Sequence, residues 1–238
     1  MKTTVGQING PILIRWISAS LAFGISSLAL AYGGSVSNGG DVIRCFASPA
    51  AFPVASLYSL DYVIARQRHP TANFAPVPSW DESVLRISKI LAKGNSHLAH
   101  SFADFVAGLQ NPVPGVPVPK RSWSFFDWKY VGPELSEDYL GALPANCPRE
   151  IQEDPTFRVR RSIVRVKDDE SILYIYDARV LPILLRDFPQ QASFLLVHEW
   201  LWDFTPDIDR LREINSAIHS AKFETLTAEQ INTLFGAK

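Results

Sequence analysis

Residues 172–204 read ILYIYDARVLPILLRDFPQQASFLLVHEWLWDF. Ile172 to Tyr176 are β-branched, aromatic or leucine, a composition that suits a pleated, half-buried strand. From Ala178 onward the pattern turns helical, over Ala178–Arg186 and again over Gln190–Phe204. Upstream, Arg158 to Lys167 is rich in Val, Ile and Arg, and Asp168-Asp169 supplies a turn, so this run and Ile172–Tyr176 predict a β-hairpin. Downstream, Asp207–Ser220 reads as a further helix, and a last short helix opens at Thr227 with Gln230 three residues on.

The N-terminal half extends the same picture. Asp41 to Phe46 (DVIRCF) predicts a short strand with Val42 on one face and Ile43 on the other. Leu57 to Arg68 reads as a helix through Leu57, Leu60 and Ile64, or through Tyr58, Tyr62 and Ala65, and HPTANFAPVP breaks it. Ser79 to Glu82 has the spacing of a capping box. The helix it opens turns Val84, Ile87, Ile90 and Leu91 inward and stops at Gly94. A new start at Asn95 or Ser96 carries Leu98, Phe102, Phe105 and Leu109 on one stripe, which makes an αα-hairpin. YGGSVSNGGD, before the first strand, reads as a lead-in too glycine-rich for regular structure. Helices, then a hairpin, then helices, without βαβ alternation, predict an α+β fold: mostly helical, with a β-hairpin and a small sheet.

Residues 1–31 are unlike the rest. Lys2 and Arg15 are their only charges, and WISASLAFGISSLALA ends in Ala29-Leu30-Ala31, small residues of the kind a signal peptidase accepts. The apolar run is short for a bilayer, which takes about 20 residues, and serines dilute it. The expectation is a cleaved signal peptide, a mature chain starting at Tyr32, and an exported protein, periplasmic or secreted. No later apolar run is long enough to span a membrane. Residues 32–238 then form one globular domain: a helical lobe over 45–110, a Pro-rich connection over 111–120 (four prolines in NPVPGVPVP), and the hairpin with its helices over 121–238.

The chain has 23 basic and 24 acidic side chains, and losing Lys2 and Arg15 takes the net charge from −1 to −3. That balance recruits neither nucleic acid nor anionic lipid. Cys45 and Cys147 are the only two cysteines. In an oxidising compartment an isolated pair reads as one disulfide, closing a loop of about 100 residues, with two buried thiols as the alternative.

The helix over 190–204 is where chemistry is to be sought. From Ala192 to Trp202 only Ser193, His198 and Glu199 are polar, and a helix apolar all round is buried all round. A buried His beside a buried Glu needs partners from outside the helix, because consecutive residues project about 100° apart. Two readings stand. In the first, Arg212 on the following helix pairs with an ionised Glu199 and fixes how the two helices dock. In the second, His198 ligates zinc and Glu199 is the general base of a zincin-like hydrolase. A zinc peptidase carries a second His one turn later, and here that position is Trp202. The missing ligands would have to come from Asp207, Asp209 or His219, the nearest in sequence.

Several stretches stand out along the chain: GGSVSNGGDVIRC after the leader, LP-x-x-C ending at Cys147, YIYDARVL, and LLVHEWLWDF followed by Asp209, Arg212 and Asn215. In these the chain resembles a family of exported proteins from predatory and related Gram-negative bacteria, a family with no established activity. The resemblance touches both ends of the mature chain and not residues 70–140. It implies export, supports the Cys45–Cys147 pairing, and marks His198, Glu199 and Arg212 as important; it supplies no substrate.

Two lesser constellations complete the survey. His97, His100 and Asp104 share a helical face that could chelate a metal or simply face water. Arg158, Arg160, Arg161, Arg165 and Lys167 make the hairpin basic, suiting phosphate, a solvated face, or pairing with nearby acids, the last two favoured by the acidic balance.

Overall fold

The computed structural model describes residues 35–37, 40–45, 57–109, 121–126, 147, 159–167 and 171–236. The leader, the Pro-rich connection, the Asp168-Asp169 turn and Arg158 lie outside them. Among the described residues seven α-helices and two small sheets give the expected α+β fold. No helix among them is long and apolar enough to cross a membrane.

The strands are β1 (Ser35–Ser37), β2 (Asp41–Arg44), β3 (Leu57–Ser59), β4 (Arg121–Phe126), β5 (Val159–Arg161), β6 (Ile163–Lys167) and β7 (Ile172–Asp177). One sheet has the order β1-β6-β7-β4 and the other β3-β2-β5. The hairpin is β6 and β7, antiparallel, with Lys167 facing Ile172. β5 and β6 form nearly one strand that changes sheet at Ser162, and β1 and β2 track it. Ser37 faces Arg165 in the first sheet and Asp41 faces Arg161 in the second, so the register carries on across the bend and sets Gly40 opposite Ser162. There the Gly40 carbonyl accepts from both Ser162 N–H (2.9 Å) and Ile163 N–H (3.1 Å).

Three strands depart from the sequence reading. SVS, inside the glycine-rich lead-in, pairs with β6, with Val36 facing Val166. Leu57–Ser59 is strand rather than the first turn of a helix, because β2 offers a partner: Ile43 faces Tyr58 and Arg44 faces Leu57. Local spacing of Leu57 and Leu60 fits either state, and tertiary pairing decides. β4 runs parallel to β7, an arrangement that needs a crossover rather than a turn. Val42 and Ile43 separate as expected: each is fully buried, Val42 in the large core and Ile43 in a second cluster with Cys45, Leu60 and Cys147. Cys45 and Cys147 are joined by a disulfide.

The helices are α1 (Leu60–Arg68), α2 (Trp80–Gly94), α3 (Ser96–Gly108), α4 (Leu181–Asp187), α5 (Pro189–Leu201), α6 (Ile208–His219) and α7 (Ala228–Leu234). The Ser79 hydroxyl accepts from Glu82 N–H to open α2, and Asn95 accepts from His97 and Leu98 N–H to open α3. Thr227 and Gln230 form a complete capping box at α7. Asp207 caps α6 through Asp209 and Arg210 N–H. α4 begins three residues later than its sequence pattern, at Leu181, with Pro182 in its first turn where a missing N–H costs nothing.

α5 is the axis of the molecule. Every residue from Gln191 to Leu201 is buried, as an all-round apolar helix requires. It packs against α1, α2, α4, α6 and β3. The fully buried Trp200 meets Phe102 edge-on at 4.9 Å between centroids, and its indole N–H donates to Ser101 Oγ at 3.1 Å.

Candidate functional site

His198 and Glu199 leave α5 toward different neighbours. His198 faces the cleft between α1 and α6, where Asp61 stands in the first turn of α1. His198 Nδ1 donates to Asp61 Oδ2 at 2.8 Å. Asn215 of α6 donates from Nδ2 to the same oxygen at 2.7 Å and to the Phe194 carbonyl at 2.8 Å. Arg212 Nε donates to Asp61 Oδ1 at 3.3 Å. All four side chains are buried. One carboxylate on α1 thus collects donors from α5 and α6.

This corrects the ion pair expected between Glu199 and Arg212. The acid on Arg212's side of α5 is Asp61, whereas Glu199, about 100° further round, faces the bend between the sheets. Glu199 Oε1 accepts from Gly40 N–H there. Its Oε2 has no hydrogen-bonding partner among the described residues. Gly40 is required by close approach: a Cβ at that position would collide with Leu195 Cδ1 and lie 2.9 Å from Glu199 Oε1.

The two acids differ in charge state. At Asp61 burial opposes ionisation, but His198, Arg212 and the Asn215 hydrogen bond outweigh it and hold the carboxyl below its usual range. At Glu199 burial prevails and pushes the carboxyl up to about 7, against the pull of His198, the Gly40 N–H, Arg165 and Arg161. At His198 burial works against the charge, and the Asp61 carboxylate overrides it, raising the imidazole to about 9. His198 is therefore an imidazolium at neutral pH, with Nε2 carrying a proton and having no acceptor among the described residues.

The zinc ligand set does not assemble. Trp202 follows His198 by one turn, its ring edge-on to the imidazole. Asp207 caps α6, and Asp209 pairs with Arg68 at 2.6 Å. His219 lies on another face of α6, where Ser193 Oγ meets its Nε2 at 2.7 Å, Nδ1 donates to the Asn215 carbonyl, and Phe194 stacks on the ring. Burial pushes His219 down to about 3, so it stays neutral. Among the described residues no three His, Cys, Asp or Glu side chains are placed to hold a metal, His97, His100 and Asp104 included. Those three are exposed on α3, and His100 Nδ1 bonds the Ser96 carbonyl.

Two arginines of the hairpin, Arg161 and Arg165, pair with acids. Arg161 meets Asp41 at 3.2 Å and Arg165 meets Asp203 at 2.8 Å, each arginine being buried. Asp203 also accepts from Arg121 Nη2 at 2.5 Å, while Arg121 Nη1 donates to Tyr174 Oη at 3.0 Å. Burial pushes the Tyr174 phenol up to about 12.

Sequence reasoning missed Asp61, Asn215 and Gly40 as members of the site. The signal for Asp61 was an acid beside Leu60 on a stripe that continues through Ile64 and Ala65. No family model, curated protein or solved structure matches this chain.

Proposed function

We propose that the chain is an exported, non-catalytic globular protein whose His198–Glu199 helix is a structural lock. The observation that carries this reading is the Asp61 carboxylate, buried and holding His198, Asn215 and Arg212 from two other helices at once. A buried acid so fully occupied has little left to give a substrate, and its partners fix the docking of three helices. His198 commits Nδ1 to Asp61, and that carboxylate raises the imidazole to about 9, so the two form a buried charged pair across α5 and α1. Export is supported by the basic, apolar and small-residue order of residues 1–31, by the disulfide, and by the resemblance to exported proteins of predatory Gram-negative bacteria.

Metal analysis of the exported protein tests the lock. The expected outcome is zinc well below one equivalent and a Tm that a chelator leaves unchanged. Stoichiometric zinc whose removal lowers Tm would overturn the reading in favour of the hydrolase. N-terminal sequencing should find Tyr32 first; an intact Met1 on the folded protein would remove the export half of the proposal.

A further inference from the structure

Gly40 ties α5 to the point where two paired strands change sheet. Its N–H donates to Glu199 Oε1, and its carbonyl accepts from Ser162 N–H at 2.9 Å and Ile163 N–H at 3.1 Å. Ser162 stands between β5 and β6, and its own carbonyl accepts from Asp177 N–H at 2.8 Å, at the end of β7. The strand on the Gly40 side is weakly held. β1 is three residues long and lies at the edge of its sheet, and Asn38-Gly39-Gly40 joins it to β2. Glycines regain the most freedom on opening, so this junction gives way before the buried α5 does.

The charged groups around Glu199 are engaged with other partners. His198, beside it on α5, has Asp61 at 2.8 Å. Arg161 of β5 pairs with Asp41 of β2, Arg165 of β6 pairs with Asp203 beyond the end of α5, and Asp203 also holds Arg121 of β4. Arg44 of β2 pairs with Asp177, and Tyr174 of β7 keeps its proton at neutral pH. Glu199 is left with the Gly40 N–H on Oε1 and, among the described residues, with nothing on Oε2. A neutral carboxyl group bears that at modest cost. A buried carboxylate with one donor does not, and water entering beside it supplies the missing hydrogen bonds.

We propose that Glu199 is a proton-operated latch on the bend: as the neutral acid it holds Gly40 against α5, and as the carboxylate it admits water and lets the junction of β1 and β2 lift locally. The latch is separate from the lock, since Glu199 and Gly40 make no hydrogen bond to Asp61, Arg212 or Asn215 among the described residues.

Amide hydrogen exchange of the disulfide-bonded protein, resolved by NMR and corrected for intrinsic rates, tests the latch. Ser162 and Ile163 N–H report on the bend directly, because both donate to Gly40. Glu199 titrates at about 7 in the closed bend and near its ordinary 4.5 once open, so its hold is complete below pH 4.5 and gone once pH has risen through 7. The opening constants of both amides should therefore rise about fiftyfold from pH 5 to 8 and level off above pH 7. Ile214 and Ile218 N–H in α6, beside the lock, should not follow. Glu199→Gln, neutral at every pH, should hold the bend as firmly at pH 8 as at pH 5. In the parent, the pH at which the rise levels off should match the titration of the Glu199 carboxyl carbon, a comparison that needs no variant. Flat opening constants in the parent, a rise shared by Ile214 and Ile218, a rise that survives Glu199→Gln, or a levelling that misses the carboxyl titration would each overturn the proposal.

Discussion

On the face of α5 turned to α1 and α6, Asp61 is a buried acid with three side-chain donors; on the face turned to the bend at Gly40, Glu199 is a buried acid with one backbone amide. Both are buried, yet one is held ionised and the other is pushed up to about 7. Burial alone therefore says nothing about charge. What separates the two is whether cations and donors converge on the carboxylate, and they do so only where three helices meet.

The comparison breaks most readily at Asp61. Asp61→Asn removes the charge that holds His198 as its cation, so the buried imidazole must give up its proton, and it takes one acid away from the buried Arg212. Removing one member of such a cluster costs about 3–5 kcal/mol. In a chain of this size that is a fall in Tm of about 10 °C, measured by thermal unfolding. A loss under about 1 kcal/mol would mean that the cluster is not the lock proposed for it.

The pH dependence of stability sharpens the contrast. His198 has a folded pKa near 9 against 6.5 unfolded, so its contribution is complete below pH 6.5 and is lost as pH rises through 9. That loss is roughly 3 kcal/mol. Glu199, raised from 4.5 to about 7, loses its contribution in the same direction across that lower window. His219, lowered to about 3, works oppositely: its contribution is present above pH 6.5 and is lost as pH falls through 3. Asp61, also lowered, adds a loss only in strong acid. The stability maximum should lie between about pH 5 and 6.5, where the Glu199 and His219 slopes oppose each other, with a decline toward pH 9. Denaturant titrations across pH check this, and His198→Gln should flatten the upper arm. A maximum above pH 8 would show that His198 is not held as its cation.

These acids also mark where sequence reading stops. The buried α5, the α2–α3 hairpin, the β6–β7 hairpin and the caps at Ser79, Asn95 and Thr227 follow from periodicity and local hydrogen bonding. Leu57–Ser59 and Ser35–Ser37 do not, because their strand state depends on partners far along the chain. The sequence showed that His198 and Glu199 needed outside partners, and it put Arg212 on the helix that follows. It carried no sign of which acid Arg212 would meet, since that depends on the rotation of α1 against α5.

Gly40 tests the sparse side of the comparison. Its amide serves Glu199, and there is no room for a side chain between Leu195 and the carboxyl group. Gly40→Ala should cost about 1–3 kcal/mol, as overpacking does. It should also move the Glu199 titration, read by the carboxyl carbon shift in NMR. An unchanged Tm together with an unchanged titration would detach Glu199 from the bend.

Glu199→Gln is expected to have the smallest effect, and it separates the two faces most cleanly. The substituted amide keeps an acceptor for Gly40 N–H, and the position occupied by Oε2 has no partner to lose. Near pH 6 most Glu199 is already protonated, so Gln replaces one neutral group by another, and the change should stay within about 1 kcal/mol. At pH 8 the parent has an ionised carboxylate with a single hydrogen bond in a buried site, and Gln removes that cost. The variant should therefore match the parent at pH 6 and exceed it modestly at pH 8, while Asp61→Asn stays destabilised at both. Were Glu199→Gln to cost as much as Asp61→Asn, Glu199 would have to be an ionised partner of the nearby arginines, and the asymmetry between the two faces of α5 would be wrong.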